Sequence, residues 1–235
     1  RIDELTRQEL GLVEAARLLA DDSRVVLLDE VGATFNLAEL DELHAITSML
    51  TADGRGVIYI SHRLQELIDI SHRVAVLRDG VIARVLDARS VTADDVARAM
   101  FDDWVPSERA VTGTASDTPV ASDSPAPMVH RTRPFEGGGQ SALTISGFVG
   151  GPLKGFDLTA SQGEIVGLIG PRGGGTDDVL FALTGDRPCD EGTVTVGDTT
   201  LHISSPRDAA KLRIAYFSEP LEPMGVSRDT RLARA

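Results

Sequence analysis

The stretch Arg24-Val-Val-Leu-Leu-Asp29-Glu30 decides the fold of this chain of 235 residues. Its four consecutive apolar residues between polar neighbours are typical of a buried strand in a parallel sheet. Asp29 and Glu30 follow at the carboxyl end of that strand, where α/β sheets place their ligands. In nucleotide hydrolysis, the first acid of such a pair can bind Mg²⁺ and the second can orient or deprotonate the attacking water. The alternative interpretation is a strand end that leaves two solvated acids.

Composition indicates a soluble globular protein of one or two domains, with 42% hydrophobic and 25% charged residues. A formal net charge of −13 repels a phosphate backbone, so we expect no nucleic-acid partner. No apolar run reaches the roughly 18 residues that span a bilayer, so we expect no transmembrane segment. The single cysteine, Cys189, excludes an internal disulfide.

A second buried strand, residues 56–60, ends at Ser61-His62-Arg63. Between the two strands, residues 36–39 resemble a capping box, and an apolar stripe at helical spacing runs from there to Leu50. A helix that joins two parallel strands brings their carboxyl ends to one edge of the sheet. His62 is therefore expected near the two acids.

Three further patterns complete the first segment. The pair Asp79-Gly80 between two apolar runs predicts a β-hairpin over residues 73–86. Thr92 is predicted to cap a helix that runs through Met100, and residues 4–19 have helical periodicity.

These motifs resemble the ATP-binding subunits of ABC transporters, and more narrowly the tandem-domain sugar importers of the ribose, galactose and xylose type. The resemblance rests on residues 28–30, 60–63 and 76–80. It implies that Asp29 holds Mg²⁺, that Glu30 is the general base, and that His62 is the switch residue at the γ-phosphate.

The chain also departs from the pattern of that family. Val31-Gly32 stands where Pro-Thr usually follows the acids, and residues 5–9 stand where the signature Leu-Ser-x-Gly-Gln belongs. Thr6 keeps a hydroxyl there and is a candidate nucleotide contact. Gln8 replaces a glycine and Glu9 adds a negative charge, so both oppose phosphate binding.

A linker over residues 105–140 follows the first segment. It is rich in Ser, Thr, Pro, Ala and Gly, which predicts disorder. A plain tether is favoured over a recognition segment, and its root-mean-square span is on the order of 30 Å.

A glycine-rich loop dominates the second segment, residues 141–235. A predicted strand over residues 164–170 enters this loop, and a helix follows, which is the context of the phosphate-binding pattern G-x-x-x-x-G-K-[ST]. Thr176 occupies the lysine position and Asp177 the Ser/Thr position, so we expect weak ATP binding or none. The candidate nucleotide-binding residues of this loop are Gly170, Gly173, Gly174, Gly175, Thr176 and Asp177.

The second segment resembles the start of the second ATPase domain of the same importers. The resemblance places Glu219 at the Q-loop, which senses the membrane partner. In that family the second loop faces the first domain's signature, so the resemblance implies that one composite ATP site has decayed as a unit. Asp29, Glu30 and His62 belong to the other site.

The predicted fold class is α/β with the core of a P-loop NTPase. We expect a central fragment: the C-terminal part of one ABC ATPase domain (residues 1–104) and the N-terminal part of a second (residues 141–235). A further hypothesis is that the two segments dock as one circularly permuted domain, with the loop beside Asp29.

The resemblance implies an ATP-hydrolysing subunit that energises carbohydrate import, with ATP and Mg²⁺ as cofactors. Its implied partners are permease subunits and a sugar-binding protein, and its implied location is the cytoplasmic face of the cell membrane. We expect this chain alone to be inactive. The alternative is a pseudo-ATPase that acts as a docking module. An ABC ATPase of DNA repair or translation is disfavoured by the acidic charge and by Ser61-His62-Arg63.

Overall fold

The computed structural model describes residues 19–31, 37–101 and 139–218, without the side chains of residues 37–40 and 42. Its strands are β1 (Val25–Asp29), β2 (Gly56–Ile60), β3 (Arg73–Arg78), β4 (Val81–Asp87), β5 (Ser141–Gly150), β6 (Leu153–Ser161), β7 (Ile165–Ile169), β8 (Glu191–Val196), β9 (Thr199–Leu201) and β10 (Ile214–Ser218). Its helices are α1 (Leu37–Ala52), α2 (Leu64–Ile70), α3 (Ala93–Phe101), α4 (Thr176–Thr184) and α5 (Pro206–Lys211).

Strands of both segments form one six-stranded sheet with the order β10-β1-β2-β7-β3-β4. Neighbouring strands are parallel except for the antiparallel β3–β4 hairpin. The second segment supplies β7, which lies between two strands of the first segment, and β10, which lies at one edge next to β1. The two segments therefore share a sheet.

Each face of this sheet is covered by a different layer, because side chains alternate along a strand. On one face, Leu27 and Ile58 pack in a core with residues of α4 and of a second, four-stranded antiparallel sheet, β6-β5-β8-β9. On the other face, Val26 and Tyr59 pack in a core with residues of α1, α2 and α3. A sheet buried on both faces explains the continuous apolar runs of β1, β2 and β7.

The predicted hairpin and the predicted helix cap are both confirmed. Asp79 and Gly80 have φ angles of 53° and 84°, the positive pair that a type I′ turn requires. At the start of α3, the Asp95 amide donates to the Thr92 hydroxyl oxygen (3.3 Å), and the Thr92 amide donates to Asp95 Oδ2 (3.0 Å). The first of these bonds satisfies an amide of the first helical turn. The predicted helix at residues 4–19, apart from its last residue, and the capping-box side chains at residues 36–39 lie outside the described parts of the chain.

An ion pair joins the two segments beside the junction of β3 and β7. Glu164, immediately before β7, is 1% exposed and pairs with Arg73 at the start of β3. Arg73 Nη2 donates to Glu164 Oε2 at 3.1 Å and to the Thr159 carbonyl at 2.7 Å, and the Ser161 amide donates to Glu164 Oε2 at 2.8 Å. These bonds compensate the burial of the carboxylate, which would otherwise oppose folding.

The substitution Arg73→Met should destabilise the fold by about 3 kcal/mol, because it leaves a buried carboxylate without its cation. Urea unfolding followed by circular dichroism measures this effect. The matched control is Arg89→Met, which removes the exposed pair of Arg89 with Asp87 (68% and 46% exposed side chains). The control should leave the urea midpoint nearly unchanged. Equal effects of the two substitutions would contradict a structural role for the Arg73–Glu164 pair.

Candidate active site

The carboxyl ends of β1, β2 and β7 lie side by side. Asp29 is in register with Ile60, and Ile60 is in register with Leu168. The residues that follow these positions are Glu30, His62 and the glycine-rich loop that begins at Gly170. The three candidate motifs, two from the first segment and one from the second, therefore meet at one edge of the sheet.

Asp29 lies on the face of the sheet that packs against α4, the helix that follows the loop. In β1 it shares the face of Val25 and Leu27, four and two residues before it, which belong to the core on that side. Burial raises the pKa of the Asp29 carboxyl, and the charges of Glu30 and Asp177 raise it further. The Tyr216 hydroxyl donates to Asp29 Oδ2 at 3.1 Å, which works in the opposite direction. The edge thus gathers negative charge from both segments.

Glu30 and His62 are in contact, with 2.8 Å between His62 Nε2 and Glu30 Oε2. Both side chains are accessible to solvent, with exposed fractions of 63% for His62 and 36% for Glu30. The Glu30 amide donates to the Ile60 carbonyl (2.9 Å), and Glu30 has a φ angle of 51°. A non-glycine residue in this left-handed region costs about 1–3 kcal/mol locally. The neighbouring sheet therefore holds Glu30 in an unfavourable backbone conformation, which turns its carboxylate towards His62.

A partly buried set of polar contacts lies next to His62 in the chain. The Arg63 amide donates to the Ser61 hydroxyl oxygen (3.1 Å), and Arg63 Nη1 lies 3.1 Å from Glu66 Oε2. Glu66 is buried and accepts a hydrogen bond from the Tyr59 hydroxyl. Burial, followed by the charge of Glu66, raises the pKa of Tyr59. These contacts anchor the turn that presents His62 to solvent.

The glycine-rich loop contains a tight turn just before α4. The Gly174 amide donates to the Pro171 carbonyl at 2.8 Å, and Gly175, with φ of 109°, precedes the first residue of α4. A Cβ atom on Gly170 would lie 2.5 Å from the Leu77 carbonyl oxygen, and one on Gly174 would lie 2.8 Å from the Pro171 carbonyl oxygen. Only glycine fits at these two positions.

The charge of the loop opposes a phosphate ligand. The loop ends at the N-terminus of α4, which favours an anion, but no lysine follows Gly175. Asp177 is exposed and raises the pKa of Asp29, which places its charge on the side of the candidate site. Asp178 is held by Arg187, with 3.3 Å between Arg187 Nη1 and Asp178 Oδ1. Arg172 is exposed.

The site residues present fit a nucleotide and Mg²⁺ only in part. The glycine spacing and the N-terminus of α4 fit a phosphate, whereas the side chains at the entrance of the loop have the wrong charge. Among the described residues, no group of three or more histidine, cysteine or acidic side chains is arranged to hold a metal ion. Asp29 and Asp177 provide two carboxylates, and Mg²⁺ in nucleotide enzymes takes its remaining ligands from phosphates and water.

Most of the predicted site residues lie at this edge of the sheet, and some of the contacts around them were not predicted. The structure brings together Asp29, Glu30 and His62 with the loop from Gly170 to Asp177. Thr6 and Glu219 lie outside the described residues. Sequence reasoning missed Tyr216 and Glu66. The sequence pattern that could have indicated Tyr216 is the alternation along β10, which turns Tyr216 and Ser218 to one side. For Glu66 it is the spacing of three residues from Arg63, which allows an ion pair on a helix.

The relatives of this chain include ATP-binding proteins of sugar import. A putative ribose/galactose/methyl galactoside import ATP-binding protein 1 of Burkholderia lata is 32% identical over 227 residues, which cover 96% of this chain and 40% of the relative. The ribose import ATP-binding protein RbsA 3 of Rubrobacter xylanophilus is 31% identical, and the arabinose import ATP-binding protein AraG of Mannheimia succiniciproducens is 28% identical. Each alignment covers 96% of this chain and 41% of that relative.

The chain is homologous to the ATP-binding subunits of ABC-type sugar importers. The similarity covers both segments, and the chain spans about two fifths of the length of these curated relatives. No protein-family model matches the chain. No solved structure matches it. In the parts of this importer homologue that the structure describes, no helix is long and apolar enough to cross a membrane.

The substitution Asp29→Asn should stabilise the fold near neutral pH. Because the folded-state pKa of Asp29 lies above its ordinary value of 3.8, the protein loses stability as pH rises through that folded pKa. The gain from Asn should disappear below about pH 3.8, where the carboxyl is neutral in both states. Urea midpoints between pH 3 and 8 test this, with the exposed Asp53→Asn as control. A loss of stability at pH 7 would contradict the prediction.

Two neighbours should move the pKa of Asp29 in opposite directions. Tyr216→Phe removes a hydrogen bond that lowers this pKa and should therefore raise it, whereas Asp177→Asn removes a charge that raises it and should lower it. Carboxyl ¹³C chemical shifts during an NMR pH titration measure both effects. No response to Asp177→Asn would show that the loop does not face Asp29.

Proposed function

We propose that this chain is part of the ATP-binding subunit of a sugar importer and that its own nucleotide site is degenerate. The observation that supports this is the meeting of Asp29, Glu30 and His62 with the Gly170–Asp177 loop at one sheet edge. The names of the relatives support the class of transporter. The permease subunits, a sugar-binding protein and a location at the cytoplasmic membrane face belong to the same proposal.

We further propose that the chain forms one circularly permuted ATPase domain. The shared six-stranded sheet supports this arrangement, since β7 delivers the loop of the second segment to the acids of the first. The order of the segments along the chain is then C-terminal half first and N-terminal half second. Their union supplies a phosphate loop, a magnesium carboxylate, a base and a switch histidine.

The Glu30–His62 pair carries the hydrolytic chemistry in this proposal. A solvent-accessible carboxylate can accept a proton from a water molecule placed within hydrogen-bond reach. His62 Nε2 orients that carboxylate at 2.8 Å, and the contacts around Glu66 hold the turn on which His62 lies. Because the loop opposes the triphosphate, the pair has no bound substrate to act on within this chain.

A second candidate function, a docking module without ATP turnover, is favoured by the charge at the edge. Asp177 stands where a hydroxyl-bearing residue is expected, and its charge acts on Asp29. A module of this kind would keep the ATPase fold as a rigid body for its partners while its nucleotide site stays empty. ATP turnover by a variant with a restored loop separates the two functions.

Isothermal titration calorimetry with Mg-ATP tests the proposal directly. The chain should bind at least tenfold more weakly than the double variant Thr176→Lys/Asp177→Thr, which restores the loop pattern. The two substitutions remove one opposing charge and add one favourable charge, each worth about 1.4 kcal/mol at a solvated site, so their sum is roughly a hundredfold.

The matched control makes the same change of charge at the exposed β8–β9 turn, as Asp198→Thr/Thr199→Lys. This control should bind Mg-ATP as weakly as the parent chain. Glu30→Gln in the restored background should abolish hydrolysis while binding persists. Tight Mg-ATP binding by the unmodified chain would contradict the degenerate loop. Binding without turnover in the restored variant would favour the docking module.

A further inference from the structure

His72 connects several parts of the described fold through its backbone. It lies between Ile70, the last residue of α2, and the start of β3. Its amide donates to the Ile165 carbonyl at 2.9 Å, and its carbonyl accepts from the Ala88 amide at 3.1 Å. These bonds fix the backbone of His72 between the start of β7 and the residue that follows β4.

The side chain of His72 adds a bond that depends on its protonation state. The Ile165 amide donates to His72 Nδ1 at 2.9 Å. A backbone amide can only donate, so Nδ1 must be the acceptor and the single ring proton lies on Nε2. An imidazolium ring carries protons on both nitrogens, so it would place two donors against each other. The bond therefore exists only while His72 is neutral.

The amide that donates in this bond is buried. Ile165 is the first residue of β7 and is fully buried. When the ring takes up a proton, the Ile165 amide loses its acceptor in a place that water does not reach, which opposes the folded arrangement. Protonation of His72 therefore acts on the start of the strand that leads into the glycine-rich loop.

The charged groups beside the β7 side of His72 compensate each other. Arg73 follows His72 directly and pairs with Glu164, which is 1% exposed. This pair carries no net charge. On α2, Asp69 precedes His72 by three residues and accepts an exposed hydrogen bond from its own helix at 2.9 Å.

On the β4 side, Asp87 favours the protonated form of His72. A hydrogen bond from Arg89 lowers the pKa of Asp87 most, and the charge of His72 lowers this pKa further. The attraction acts in both directions, so Asp87 partly offsets the loss of the bond to Ile165. The Asp87 side chain is 46% exposed, and its Oδ2 lies 2.9 Å from Arg89 Nη2, so solvent and pairing both weaken this offset.

We propose that His72 is a pH-sensitive latch on the start of β7. The neutral ring holds the Ile165 amide, and protonation of Nδ1 releases it. In an unfolded chain, histidine takes up a proton at about pH 6.5. The stability that the latch contributes is complete above that pH and is lost as pH falls below it, because the unfolded chain then binds one proton more. The latch involves only described residues and is independent of the proposed function.

A side chain that accepts a hydrogen bond but does not titrate tests the latch. Asparagine places a carbonyl oxygen at the same distance along the side chain as Nδ1, so His72→Asn keeps an acceptor for the Ile165 amide. Urea unfolding at about pH 7.5 and 5.5 gives the ratio of folded to unfolded protein at each pH. Between these values the ratio for the parent chain should fall roughly tenfold more than the ratio for His72→Asn.

The matched control is His202→Asn. His202 is exposed, and its Nδ1 lies 2.8 Å from the Gly192 carbonyl oxygen, so this nitrogen donates in both protonation states. The control should not reduce the loss of stability that acidification causes in the parent chain. A loss in His72→Asn equal to that of the parent chain overturns the proposal, and so does an equal reduction by both substitutions.

A second measurement uses the unmodified chain and observes the latch directly. Ring ¹⁵N chemical shifts at about pH 7.5 should show His72 as the neutral tautomer with its proton on Nε2. On acidification to about pH 5.5, hydrogen exchange of the Ile165 amide, corrected for the intrinsic effect of pH, should accelerate roughly tenfold. The Asp190 amide, which donates to the Val149 carbonyl at 2.7 Å, is the internal reference and should stay protected. A proton on Nδ1 at the higher pH, or equal changes at the two amides, overturns the proposal.

Discussion

The position of β7 is the constraint on which the rest of the structure depends. This strand connects two halves of the first segment's sheet, and its buried neighbour Glu164 is held by Arg73 across the junction. Both cores draw on residues of the two segments as a result. The candidate site follows from the same constraint, since a parallel strand in this position must release the glycine-rich loop at the edge where Asp29 ends β1.

The edge combines a tightly packed glycine-rich loop with negative charge. Tight packing around Gly170 and Gly174 restricts these positions to glycine, while Asp177 adds negative charge beside Asp29. The conformation of the loop and its charge have different determinants. The conformation depends on the glycines and on α4, whereas the charge depends on the side chains at positions 176 and 177. An acid at a helix N-terminus stabilises the helix, which offsets part of the repulsion between Asp177 and Asp29.

Local patterns in the sequence predicted β1, β2 and β7, the Asp79-Gly80 hairpin, the Thr92 cap and the meeting of Asp29, Glu30 and His62, but not β8, β9 or β10. The determinants of the predicted features lie within a few residues of each other or follow from parallel pairing. Other features depend on tertiary placement. The left-handed backbone of Glu30 is imposed by the bond of its amide to Ile60, and the Tyr216 hydroxyl reaches Asp29 only because β10 pairs with β1. No local pattern encodes these contacts.

The interleaved strand order also has a consequence for synthesis on the ribosome. Arg78 ends β3, but the sheet cannot close until Ile169 has emerged, 91 residues later (169 − 78). At about 5–20 residues per second, that delay is roughly 5–18 s. During this interval the nascent β2 and β3 lack their common neighbour and expose apolar edges. The edges of β2 and β3 are therefore paired only after most of the chain has been synthesised.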